Sequence, residues 1–244
     1  MIASATGHSE IYKMNIRQLF DAASSTYTYL LWDEETAAAA LIDSVLEQVD
    51  RDETIIRELG LDLSWLLETH IHADHITGSG TLRQRSQLKA KVALHKASGS
   101  KCADRHLQDG DEIKLGNQVI KVIYTPGHTD TDVSYLIDRA VFTGDALLIH
   151  GSGRTDFQSG DAGTGYDSIT GKLFTLPDET IVYPGHDYKG QTMSTIGEQK
   201  KFNPRIGGER SREEYIAIMN ALNLAKPERI DEAVPANMAC GITS

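Results

Sequence analysis

Three histidines and a carboxylate fall within one short stretch, Thr69-His70-Ile71-His72-Ala73-Asp74-His75, directly after the apolar run Leu63 to Thr69. Imidazole nitrogen and carboxylate oxygen are the usual protein ligands of Zn, Fe and Mn, and alternate residues of an extended turn converge on one point. A solvated loop has no use for such a cluster. A chain that delivers it from the end of a buried strand has to build a sheet whose rim holds the loop rigid.

Three further candidate ligands also sit at predicted strand ends. His128 lies in Tyr124-Thr125-Pro126-Gly127-His128-Thr129, Asp145 closes Val141-Phe142-Thr143-Gly144-Asp145, and His186 lies in Tyr183-Pro184-Gly185-His186-Asp187-Tyr188. The adjoining glycines permit sharp turns and close backbone approach. Strands are expected over 26–32, 37–42, 63–69 and 91–95, and over 180–183. Two hairpins are expected, Glu112–Leu115 with Gln118–Thr125 about Gly116-Asn117, and Val133–Ile137 with Ala140–Thr143 about Asp138-Arg139. Apolar spacing predicts a helix over 45–60; the polar-rich 82–90 and the stretch 166–176 also read as helices. Ser211 to Glu214 is a capping-box pattern ahead of a helical stripe of Tyr215, Ile218, Met219 and Leu222. Strand-rich halves with interspersed helices give an α+β class, layered α/β/β/α rather than a doubly wound parallel sheet. The organisation expected is a single domain over 1–190, with a C-terminal extension, 191–244, packed on it.

Of the 244 residues, 24 are Lys or Arg and 35 Asp or Glu, a net charge of −11. That balance argues against nucleic acid, whose binding runs on clustered cations, and against an anionic membrane surface. No run approaches the roughly 18 apolar residues of a membrane span. The first residues, MIASATGHSEIYKMN, lack a basic segment followed by an apolar one, so neither a secretory nor a mitochondrial leader is expected. A cytoplasmic home in a bacterium follows as the expectation. Cys102 and Cys240 are far apart and are expected as inert thiols in a reducing compartment. His8, His95 and His106 read as surface or capping residues. His150 and Arg205 lie near the candidate site without an assigned role.

The order HxHxDH, then His, Asp and His, resembles the metallo-β-lactamase superfamily over about residues 10 to 190, which implies an αββα sandwich with metal at one edge of the two sheets. Glu68 to Gly80, Gly151-Ser152-Gly153-Arg154-Thr155-Asp156-Phe157-Gln158, Tyr183 to Tyr188, Phe202-Asn203-Pro204-Arg205 and Val234 to Gly241 narrow this. With these the chain resembles the persulfide dioxygenase family nearly end to end. The resemblance implies one Fe(II) per chain on His70, His128 and Asp145, with His72, Asp74, His75 and His186 either orienting those ligands or holding a second metal. It implies glutathione persulfide as substrate, oxidised with O₂ and water to glutathione and sulfite in sulfide detoxification. By likeness to glutathione-contacting positions of glyoxalase II, it implies Arg154 and Tyr188 as substrate contacts, and it suggests a homodimer. The competing expectation is a glyoxalase II-like hydroxyacylglutathione hydrolase with a dinuclear metal centre, since the full ligand set for one is present.

Overall fold

The computed structural model describes residues 14–87 and 89–242. His8 and the start of the chain lie outside them. In chain order the elements are β1 Met14–Asp21, β2 Thr26–Asp33, β3 Ala38–Ile42, α1 Val49–Glu58, β4 Asp62–Leu67, α2 Ser79–Arg85, β5 Lys91–His95 and β6 Arg105–Leu107. The second half contains β7 Glu112–Leu115, β8 Gln118–Tyr124, β9 Val133–Ile137, β10 Ala140–Gly144, α3 Ala162–Gly171, β11 Ile181–Pro184, β12 Ser194–Thr195, α4 Ile196–Phe202, α5 Arg212–Asn220 and α6 Ile230–Met238.

The strands form two mixed sheets, β1-β2-β3-β4-β5-β6 and β12-β11-β10-β9-β8-β7. Side-chain alternation explains how they stack. In β2, Tyr29 and Leu31 point into the space between the sheets, while Leu30 and Trp32 point to the outer layer. Ala40 and Ile42 of β3 do the same against Ala39 and Leu41. Strands buried on both faces read as unbroken apolar runs, so the sequence shows them without a period of two. The inter-sheet core joins Leu67, Ala93 and Leu107 to Ile113, Ile120, Val133, Tyr135 and Phe142. Val49 and Ile56 of α1 and Leu82 of α2 cover the first sheet, and Ile169, Ile196, Tyr215 and Met219 cover the second. The result is the expected α/β/β/α order of layers. Both expected hairpins form, with Leu115 opposite Gln118 and Ile137 opposite Ala140.

Strand direction determines where the chemistry collects. β3, β4 and β5 are mutually parallel, as are β10 and β11, and β8 runs with β10 because each is antiparallel to β9. The carboxyl ends of β4, β8, β10 and β11, which lead into His70, His128, Asp145 and His186, therefore share one rim. Hydrogen bonds tie the two sheets together there. The Val133 N–H donates to the Thr69 carbonyl at 2.8 Å and the Tyr27 N–H to the Gly185 carbonyl at 2.8 Å. Buried Tyr29 and Tyr135 each donate a hydroxyl hydrogen to a rim carbonyl, Pro184 and Glu68, at 2.7 Å.

Two expectations are corrected, and one strand was not expected. β1 carries too many polar residues to be seen as a strand, yet it pairs with β2 along its whole length as an edge strand. The helix predicted over 82–90 occupies 79–85 instead, entered from Gly78. The cysteines are not unpaired thiols: Cys102 and Cys240 form a disulfide, with Cα atoms 6.0 Å apart. The tail folds back beneath the first sheet and seats Cys240 among Leu82, Val92 and Leu94, a proximity that a separation of 138 residues hides.

Leu67, fully buried between the sheets one residue before Glu68, tests this packing. Leu67→Ala is expected to destabilise the protein by about 2–5 kcal/mol, read from the guanidinium unfolding midpoint, because the surrounding sheets relax only partly into the void.

Candidate metal centre

At the shared rim one donor atom each from His70, His128 and Asp145 lies within 4.8 Å of the other two. The backbone and neighbouring side chains fix which atoms these are. His128 Nδ1 faces the Arg154 backbone carbonyl at 2.6 Å and must donate to it, leaving Nε2 with its lone pair free, 3.7 Å from Asp145 Oδ2. The Thr69 hydroxyl spends its one hydrogen on Asp43 Oδ2 at 2.8 Å, so it accepts from His70 Nδ1 at 2.9 Å. His70 therefore also presents Nε2. Burial, followed by the nearby rings of His72 and His128, holds the His70 pKa well below its ordinary value, which keeps the ring neutral, as a ligand must be. Asp145 Oδ1 accepts from His186 Nδ1 at 2.7 Å, and Oδ2 is left for the centre. Burial opposes the Asp145 charge, but His186, His128 and His70 together keep its carboxyl well below the usual carboxylate range.

The other predicted residues form a second layer around these. His72, Asp74 and His75 make a neighbouring group of the same kind. Asp74 Oδ2 is already taken by His75 Nδ1 at 2.9 Å, by His186 Nε2 at 2.9 Å and by the Thr26 hydroxyl at 3.1 Å. His186 has both ring nitrogens on carboxylates, Asp145 on one side and Asp74 on the other. Burial disfavours its charge, but the two carboxylates outweigh burial and raise its pKa well above the ordinary value. His72 Nε2 lies 3.2 Å from Asp43 and 3.3 Å from Glu68; these carboxylates likewise override burial and raise its pKa. His72 Nδ1 and His75 Nε2 are buried without a hydrogen-bond partner among the described residues. Together with the open Nε2 atoms of His70 and His128 and Oδ2 of Asp145, these form a buried donor cluster of the kind that holds a metal. The donor set fits a metal ion.

The cluster floors a cleft of about 520 Å³. Arg154 and Tyr188 line it, as does Arg205. The Arg154 guanidinium is engaged by Asp156 at 2.7 and 2.8 Å and by the Leu224 and Ala225 carbonyls at 3.2 and 2.5 Å. Tyr188 stands exposed at the mouth, its ring parallel to that of His186 at 6.1 Å. Arg205 donates to the Ser152 carbonyl and has no carboxylate partner among the described residues. The remaining histidines are elsewhere: His95 is buried, stacked on Tyr124 at 4.0 Å, with burial pushing its pKa down to about 4. His106 bonds the Ser100 carbonyl at 2.7 Å, and His150 pairs with Glu198 at 3.0 Å.

Asp43, Glu68 and Thr69 were not legible as site residues. A carboxylate one or two residues past a strand resembles any turn, and only the return of His72 beneath β3 reveals their role. Gly144 belongs with them. At φ +49° it turns the chain into Asp145, and a Cβ there would come within 2.5 Å of Thr69 Oγ1. Two variants test the arrangement. Asp145→Ala is expected to lose bound metal, measured by elemental analysis of dialysed protein. Thr69→Val, which removes the acceptor of His70 Nδ1–H, is expected to weaken metal binding about 10–100-fold in a chelator competition.

The sequence pattern of the metallo-beta-lactamase superfamily matches residues 22–186. The mitochondrial persulfide dioxygenase ETHE1 of Bos taurus is 49% identical over 93% of this chain and 89% of its own length. The Homo sapiens protein of the same name gives the same figures. The crystal structure of ETHE1 from Myxococcus xanthus is 58% identical, covers 93% of this chain and all of the other, and superposes with a TM-score of 0.90. A metallo-beta-lactamase structure from Staphylococcus aureus is 26% identical over 94% of this chain and 73% of its own, with a TM-score of 0.85. Fold, ordered ligand motifs and near full-length identity agree, and the chain belongs to the ETHE1-type persulfide dioxygenase family of the metallo-β-lactamase superfamily.

Proposed function

We propose that the protein is a glutathione persulfide dioxygenase with one Fe(II) per chain held by His70, His128 and Asp145. In it, glutathione persulfide, O₂ and water give glutathione and sulfite. The observation that carries this reading is the donor set itself: two imidazoles and one carboxylate each keep one atom free toward a common point, while His186 has both ring nitrogens on carboxylates. Two histidines and a carboxylate are the donor set of non-haem Fe(II) oxygenases, and the bound iron would supply open positions where the persulfide sulfur and O₂ meet.

The chain's own residues do the rest. The Arg154 carbonyl and Thr69 hydroxyl fix the tautomers of His128 and His70. His186 holds a proton on each ring nitrogen and so keeps Asp145 and Asp74 ionised and oriented. Ala73, Leu148, Leu224 and Pro227 give the cleft an apolar wall beside the metal ligands. Arg205, which lines the cleft and has no carboxylate partner among the described residues, would take a carboxylate of the tripeptide. Arg154 is tethered to Asp156, so its share in substrate binding requires that pair to open. Tyr188 flanks the entrance. The homodimer and the bacterial cytoplasm expected from the sequence belong to this proposal. Among the described residues no helix is long and apolar enough to cross a membrane.

A second reading has its own observation. The group His72, Asp74 and His75 would complete a dinuclear hydrolase of the glyoxalase II kind, in which paired metals activate water. Metal analysis and O₂ uptake on one preparation separate the two. The dioxygenase is expected to contain one iron per chain and to consume O₂ on addition of glutathione persulfide. Two zinc ions per chain with cleavage of lactoylglutathione and no O₂ uptake would establish the hydrolase. Arg205→Gln is expected to retain the metal and raise KM for glutathione persulfide about ten- to hundredfold, the scale of one charge-assisted hydrogen bond. An unchanged KM would remove Arg205 from the substrate site.

A further inference from the structure

After α5, which packs with α3 over the second sheet, the chain crosses the metal rim through residues 221–229. It then settles as α6 on the opposite side against Leu46 and Ile76. From α6 the buried Asn237 reaches into the ligand loop. Its Oδ1 accepts the Thr77 N–H at 2.8 Å, and its amide donates one hydrogen to the His72 carbonyl and the other to the His75 carbonyl, both at 2.9 Å. One side chain thus fixes the backbone on both sides of Asp74. The turn after α6 presses on the same segment: the Gly80 N–H donates to the Cys240 carbonyl at 2.8 Å, and a Cβ on Gly80 would come within 2.5 Å of that oxygen. Cys240 is fully buried, and its disulfide partner Cys102, on the loop between β5 and β6, is partly exposed.

We propose that α6 is a redox-sensitive clamp on the metal-ligand loop, with Asn237 as the positioning residue and the Cys102–Cys240 disulfide as its latch. The proposal rests on the reading of His70 as a metal ligand. A helix of nine residues with Pro235 inside it has little stability of its own. A covalent tie confines its open states; without it, local opening of the tail releases three hydrogen bonds from the loop together. The chemical step is thiol–disulfide exchange with a low-molecular-weight thiol. Its thiolate attacks Cys102 Sγ, the S–S bond breaks, and Cys240 leaves as a thiolate. A second thiolate then attacks the mixed disulfide, giving the oxidised reductant and the Cys102 thiolate, and both protein thiolates take protons from water. Two electrons pass from two small thiols to the protein disulfide.

The test is hydrogen exchange on the full chain, before and after reduction by tris(2-carboxyethyl)phosphine, with thiols counted on the same sample. Two thiols are expected to appear, with exchange at amides 72–80 accelerating at least about tenfold while amides of β7 and β8 are unaffected. Cys102→Ser is expected to match the reduced protein without reductant. Asn237→Asp, which can still accept from Thr77 but cannot donate to the two carbonyls, is expected to exchange fast there in either state. Cobalt(II) titration of the metal-free protein is expected to show affinity falling about 10–100-fold on reduction. Release of two thiols with unchanged exchange at 72–80, acceleration shared by β7 and β8, or two titratable thiols before any reductant would each overturn the clamp. None of these measurements uses turnover, so a protein inert toward glutathione persulfide would sink the proposed function and leave the clamp standing.

Discussion

Carboxylates crowd the metal rim. Asp43, Glu68, Asp74 and Asp145 lie around the same loop, three of them ending or following a strand, and like charges at such spacing in a poorly solvated site repel strongly. The arrangement stands because imidazoles alternate with them. His186 sits between Asp145 and Asp74, and His72 between Asp43 and Glu68. His70 and His128, by contrast, have Nδ1 turned to neutral oxygen acceptors. The rim thus sorts its histidines into two kinds: His186 and His72, set between carboxylates, and His70 and His128, whose Nδ1 atoms face neutral oxygens and whose Nε2 atoms stay open. Strand direction, hydrogen-bonded rim and ligand geometry all serve that sorting.

Much of this was visible in the residues. His70, His128, Asp145 and His186 each follow an apolar run, and a strand end is the natural rigid mount for a ligand, so their convergence was expected from order alone. The hairpins at Gly116-Asn117 and Asp138-Arg139 were legible because two-residue turns demand particular backbone angles, met at Gly116 and Asp138 with φ +59° and +52°. What remained hidden depended on contacts between distant segments. β1 earns its place by pairing with β2, not by its own composition. Arg154 and Arg205 look equivalent as cations near a site, and only the position of Asp156 and the tail carbonyls shows that one is engaged and the other has no acid beside it. Cys102 and Cys240 are separated by the whole second sheet in sequence, and nothing local says they meet.

The −11 charge of the chain is a global quantity and does not describe the cleft. Within it, Arg154 is paired with Asp156, and Arg205 lines the cleft without an acid partner among the described residues. The local balance of charge in the cleft therefore differs from the global one.

The bond between His128 and residue 154 uses the backbone carbonyl of that residue, not its side chain. A carbonyl is present whatever amino acid occupies the position. The ligand's tautomer is thereby insulated from sequence change at a site that also faces the cleft. Substitution there changes the side chain presented to the cleft while the ring beneath keeps its hydrogen bond, so the wall of the cleft can vary without disturbing its floor.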